Sequence, residues 1–142
     1  MSENKNHSEL YKKMLRSHGS SYLSLMSIVQ GVAFGFLALQ VYQNFRDYGL
    51  VACILTITTF LLIILTWNEY IIGITIFKWV PNLIDASIPF LFSASEIWLA
   101  ATIKEKYQDW YLAFVIFCIV ASIAFCNMYY RAQKSSLENE EA

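Results

Sequence analysis

Four apolar runs, each close to 20 residues and parted by short polar breaks, constrain this chain more than any other feature. They lie at about 22–42, 49–67, 82–103 and 110–130. At about 1.5 Å per residue, a helix of that length matches the roughly 30 Å hydrocarbon thickness of a bilayer. Tyr42, Tyr48, Trp67, Tyr70, Trp79, Tyr107, Trp110, Tyr129 and Tyr130 fall near the ends of the runs, where aromatic rings anchor helices at a membrane surface. Composition agrees: 57% of the 142 residues are hydrophobic and 15% are charged, which leaves too little polar surface to wrap a soluble domain of this size. The expected fold is all-α, an integral membrane protein of four transmembrane helices. Short loops make sequence neighbours antiparallel, so the helices should form an up-down bundle.

An even number of crossings puts both ends on one side, and the basic residues select it. Lys5, Lys12, Lys13, Arg16, Lys78, Arg131 and Lys134 fall on the side of the termini, whereas Arg46, Lys104 and Lys106 fall opposite. The positive-inside tendency therefore predicts cytoplasmic termini, in a plasma or bacterial inner membrane. Three parts follow: a basic N-terminal tail at 1–21, the four-span domain at 22–130, and an acidic C-terminal tail at 131–142. The 21 residues before the first run are too many and too mixed for the charged region of a cleavable signal peptide, so that span is expected to be retained. In the N-terminal tail Leu10, Tyr11, Met14 and Leu15 recur at helical spacing opposite Lys12, Lys13 and Arg16, as in a short amphipathic helix lying on an anionic leaflet. The C-terminal SSLENEEA reads as a disordered, solvated tail. Residues 68–80, NEYIIGITIFKWV, are apolar but hold Glu69, Gly73 and Lys78; this pattern favours an interfacial piece over an extension of the second span.

The third run, NLIDASIPFLFSASEIWLAATI, carries Asp85, Pro89 and Glu96. Nine bulky apolar residues there contribute about −3 to −5 kcal/mol to insertion, while one central acid costs about +2.5 to +3.5. The run is therefore marginal in lipid and needs shelter from neighbouring helices or water. Asp85 and Glu96 are 11 residues apart, close to three helical turns, so they share a face at a separation of about 16 Å. Pro89 has no N–H to give the Asp85 carbonyl and is expected to bend the helix. Intramembrane acids are candidate functional groups. Glu96 and Asp85, with Gln30 in the first run and Glu69 after the second, make the candidate polar or ion site. The plain structural alternative is a protonated carboxyl that hydrogen-bonds another helix.

Packing faces are legible as well. Ser24, Ser27, Gly31, Gly35 and Ala38 form a stripe of small residues along the first run, and Cys118, Ser122 and Cys126 repeat the pattern in the fourth. Such stripes let helices approach closely, within one bundle or between copies. The three cysteines make no CxxC pair, and His7 and His18 lack ligand spacing, so neither a metal nor a cofactor is expected. No HExxH, GxSxG or phosphate-binding glycine loop is present, and carboxyls about 16 Å apart on one helix share no substrate atom. An enzyme is not expected, nor is a nucleic-acid partner.

Two functions fit these features. In the first, the chain is a small membrane subunit that oligomerises and relays a membrane or assembly signal through its tails to a cytosolic protein. This design suits the membrane component of a bacterial stress or phage-defence system. In the second, several copies form an ion, proton or small-solute pathway that uses Glu96 and Asp85.

Overall fold

The computed structural model describes the backbone of residues 2–76, 83–104 and 107–140, and the side chains of 21–73, 86–104, 107–130 and 133. It is all-helical. Helix α1 covers Ser2–Asn44 and ends in a 3-10 turn at Phe45–Asp47; α2 covers Leu50–Ile76, α3 Leu83–Thr102 and α4 Tyr107–Glu140. Among the described residues, three helices hold a stretch long and apolar enough to cross a membrane: Ser21–Asp47, Leu50–Gly73 and Tyr107–Tyr130. Large apolar side chains such as Ile28, Ile54, Leu65, Leu112 and Ile123 lie exposed on the outside of the bundle. A soluble protein rarely shows apolar surface on this scale, and a hydrocarbon surround accounts for it. The chain is on these grounds a membrane protein.

Side-chain contacts fix the directions of the helices. Tyr22 meets Tyr70 and Phe34 meets Phe60, so α1 and α2 run antiparallel. Val29 meets Ser93 and Gln30 meets Glu96, so α1 and α3 run parallel. Lys104, in the turn before α4, reaches Asn44 at the end of α1 and Asp47 in the 3-10 turn that follows, which brings both connections to one end. Helix α3 is central and packs against the other three; among the described residues the α4 backbone approaches α3 alone. Met26, Val29, Ala33 and Leu37 from α1, Leu55 and Ile63 from α2, Phe92 and Leu99 from α3, and Ala113 and Phe117 from α4 are buried between the helices.

The α2 threonines are accommodated in an apolar helix by giving their protons back to it. Thr56, Thr58, Thr59 and Thr66 each donate to the carbonyl four residues earlier, at 2.8–2.9 Å. A ladder of aromatic rings ties the helices together: Tyr22 to Tyr70, Tyr70 to Phe92, and Phe92 to Phe117, with centroids 5.4–6.3 Å apart.

Three elements differ from the sequence expectation. Residues 68–76 continue α2 instead of forming an interfacial piece, because hydrophobic residues on all sides of this segment suit a helix that stays in apolar surroundings. The N-terminal tail is no separate helix but the first part of α1, since nothing between Ser2 and Asn44 breaks the helix. The C-terminal tail is helical to Glu140, consistent with its run of good helix formers: Ala132, Gln133, Lys134, Leu137 and Glu138. Lys78 and Trp79 lie outside the described residues.

Candidate functional site

Glu96 is fully buried, and it meets Gln30 of α1 across the α1–α3 seam. The Gln30 amide nitrogen donates to Glu96 Oε1 at 3.5 Å. One turn earlier on α3, the Ser93 hydroxyl donates to the Val29 carbonyl at 3.1 Å. Thr66 of α2 comes close enough to act on the Glu96 carboxyl, although its own proton goes to the Leu62 carbonyl. Three helices thus converge on one carboxyl group. The other Glu96 oxygen, Oε2, and the Gln30 oxygen, Oε1, are both buried without a hydrogen-bond partner among the described residues.

Those two orphans belong to the same contacting pair of planar groups. With Glu96 ionised both atoms are acceptors and neither satisfies the other. A proton on the carboxyl would add the donor that this pair lacks, as in a reciprocal acid–amide pair. The arrangement thus suits a carboxylic acid serving as an interhelical tie. Leaving buried oxygens unpaired costs about 1–3 kcal/mol each.

The remaining candidate residues are dispersed. Asp85 is the third residue of α3, a position where the helix dipole favours a carboxylate; its side chain lies outside the described residues. Pro89 is buried, and α3 is helical on both sides of it. Glu69 is exposed on α2, one turn beyond Thr66. Ser24, Ser27, Gly31, Gly35 and Ala38 are all exposed, as are Cys118, Ser122 and Cys126. Within the fourth-helix stripe the Ser122 hydroxyl donates to the Cys118 carbonyl at 2.8 Å. Neither stripe is packed inside the bundle.

A cleft of about 320 Å³ opens between α2 and α4, with α3 at its base. Leu62, Thr66 and Glu69 edge it on α2, Phe92 lies on α3, and Phe117 and Asn127 edge it on α4. Toward the other end of the bundle the gap between α2 and α4 is bridged by the Trp110 indole, which donates to Thr59 Oγ1 at 3.3 Å. Sequence reasoning passed over Thr66 and the cleft. A threonine in an apolar run was visible at several positions, but only the packing register distinguishes Thr66 from Thr56 or Thr58.

Among the described residues no three His, Cys, Asp or Glu side chains gather as a metal site would require. The fold and site therefore define a class, a helical membrane bundle with one carboxyl group enclosed between three helices. Comparison with protein-family models, with curated proteins and with solved structures gives no match to this chain.

Proposed function

We propose that this chain is a multi-pass membrane subunit that self-associates along α1 and transmits the state of the assembly to a cytosolic protein. The observation that carries the reading is the open face of α1. Taking roughly 100° per residue, the stripe from Ser24 to Ala38 lies about 155° round the helix from the core face of Met26, Val29, Ala33 and Leu37. A Cβ placed on Gly31 or Gly35 would meet no atom within 4 Å. Exposed Ile28 and Val32 flank the stripe. Small residues beside β-branched ones form a shallow groove suited to the backbone of another helix in lipid, where close packing drives association.

In this reading α3 is a fourth crossing. Its 20 residues span about 30 Å, and its outward side presents Phe90, Leu91 and Trp98 to the surroundings. The distribution of basic residues favours cytoplasmic termini in a plasma or bacterial inner membrane. Helix α1 has 43 residues and α4 has 34, about 65 and 51 Å, so each extends well beyond a bilayer core of about 30 Å. Rigid continuations of two membrane helices give a cytosolic partner something to sense.

The test is the oligomer size of wild-type protein in nanodiscs or mild detergent beside Gly31→Leu and Gly35→Leu. Because both sites open onto empty space, these variants leave the single-chain fold intact. Loss of the oligomer in both supports the reading; normal assembly in both removes the α1 seam. The buried, unpartnered Glu96 oxygen favours a second reading, an ion or proton pathway through several copies. Flux into sealed liposomes that vanishes in Glu96→Gln at unchanged assembly would establish that pathway in place of the tie.

A further inference from the structure

The cleft between α2 and α4 has an uneven distribution of polarity. One end, at Leu62, Phe117 and Ala121, is wholly apolar. The other, at Glu69, Tyr70 and Asn127, is where the polar groups collect. From Leu62 to Gly73 the cleft follows α2 for 11 residues, about 16 Å. Glu69 is the only charged side chain on the lining; it is exposed and makes no ion pair or hydrogen bond among the described residues. Five aromatic rings, those of Tyr22, Tyr70, Phe92, Phe117 and Phe125, also line it.

We infer that this cleft binds a single-chain amphiphile with an ammonium head, its chain along α2 and its head between the Glu69 carboxylate and the tyrosine rings. Each part of such a molecule has a counterpart. An alkyl chain fills the apolar end and removes it from competing lipid. An ammonium group is attracted to an unpaired carboxylate and to the faces of aromatic rings, the combination by which proteins recognise quaternary ammonium groups. An anionic head would be repelled by Glu69, and a neutral one would leave that carboxylate unmatched. The volume lies at the lower end of the range for small-molecule sites, which fits one alkyl chain. This site is independent of the α1 seam, which lies on another face of the bundle.

The experiment uses the full chain in phosphatidylcholine nanodiscs and a dodecyltrimethylammonium probe carrying a diazirine in its chain. Adducts are mapped by mass spectrometry, scaled to those on residues 107–116 of the same molecules. The expected result is labelling concentrated on 62–73 and 117–128, reduced at least fivefold in Glu69→Gln and in Ala121→Trp, which fills the cleft. The matching dodecanol and dodecyl sulfate probes should label these segments at least fivefold less. Equal labelling by the neutral probe would make the cleft a groove for any lipid chain and overturn the proposal. Labelling unchanged in Glu69→Gln would do the same, and because Glu69 is exposed that variant does not disturb the fold.

Discussion

Glu96 and Gln30 define the residue scale, because the two atoms left over in their contact are complementary once one proton is added. If Glu96 acts as the neutral half of an acid–amide pair, Glu96→Gln keeps a donor and an acceptor in place. That variant should lose less than about 1 kcal/mol, whereas Glu96→Ala, which strands the Gln30 amide and opens a cavity, should lose about 2 kcal/mol or more. Reversible unfolding in mixed micelles measures both. Tyr48, between the first turn and α2, is half-buried, and its phenolic oxygen is buried with no hydrogen-bond partner among the described residues. Burial pushes the Tyr48 phenol above its ordinary value, with the Thr56 hydroxyl moderating the effect. A raised value in the folded state means that the contribution is fully present below the ordinary phenol value of about 10 and lost as pH rises through the folded one. Stability should therefore fall above about pH 10 in wild type and less so in Tyr48→Phe, which at neutral pH should be as stable as wild type or more stable by up to about 1 kcal/mol. Gln30 and Glu96 stand out in the sequence as polar groups inside apolar runs. Their meeting depends on the offset between α1 and α3, which no local pattern encodes.

Helices α1, α2 and α4 were legible at the element scale because each depends on a long apolar run, and the run itself specifies the helix. The ends were less legible. Glu69 and Gly73 weaken the apolar pattern after Trp67, yet α2 holds to Ile76 because neither interrupts a helix already formed through 19 preceding residues. Charge alone misread the C-terminal segment, whose composition opposes burial but not helicity. Between elements, the α4–α2 link is concentrated at one hydrogen bond, since Trp110 is buried and its indole depends on Thr59. Thr59→Val keeps the shape and removes the acceptor, so it should cost about 1–3 kcal/mol, while Thr58→Val on the exposed side should change stability by less than about 0.5. The same unfolding assay in lipid-like micelles, applied to both variants, separates them. The Lys104–Asp47 pair at 3.3 Å is exposed on both sides, and Lys104→Ala should cost no more than about 1 kcal/mol.

For the whole molecule, the four runs point to an all-helical membrane protein, but not to which helix is central. That place falls to α3, the least apolar of the runs, which answers the earlier estimate that it is marginal in lipid by itself: neighbours on three sides supply its shelter. The cleft was invisible in the sequence because it is the gap between two helices whose backbones do not touch, a property of neither one. On the proposed four-crossing arrangement the central position of α3 also has a consequence in time. A chain is synthesised from its N-terminus, so Gln30 and Thr66 leave the ribosome before Glu96 does. By the time the acid reaches the insertion machinery, its partners are already in place, whereas α4 arrives afterwards and closes over the remaining side. A nascent chain stalled just past Lys104 should therefore integrate α3 efficiently with α1 and α2 present and poorly when they are replaced by plain leucine helices. A glycosylation-site reporter after α3 reads that difference directly, and it would make order of synthesis, alongside hydrophobicity, a determinant of how this chain enters a membrane.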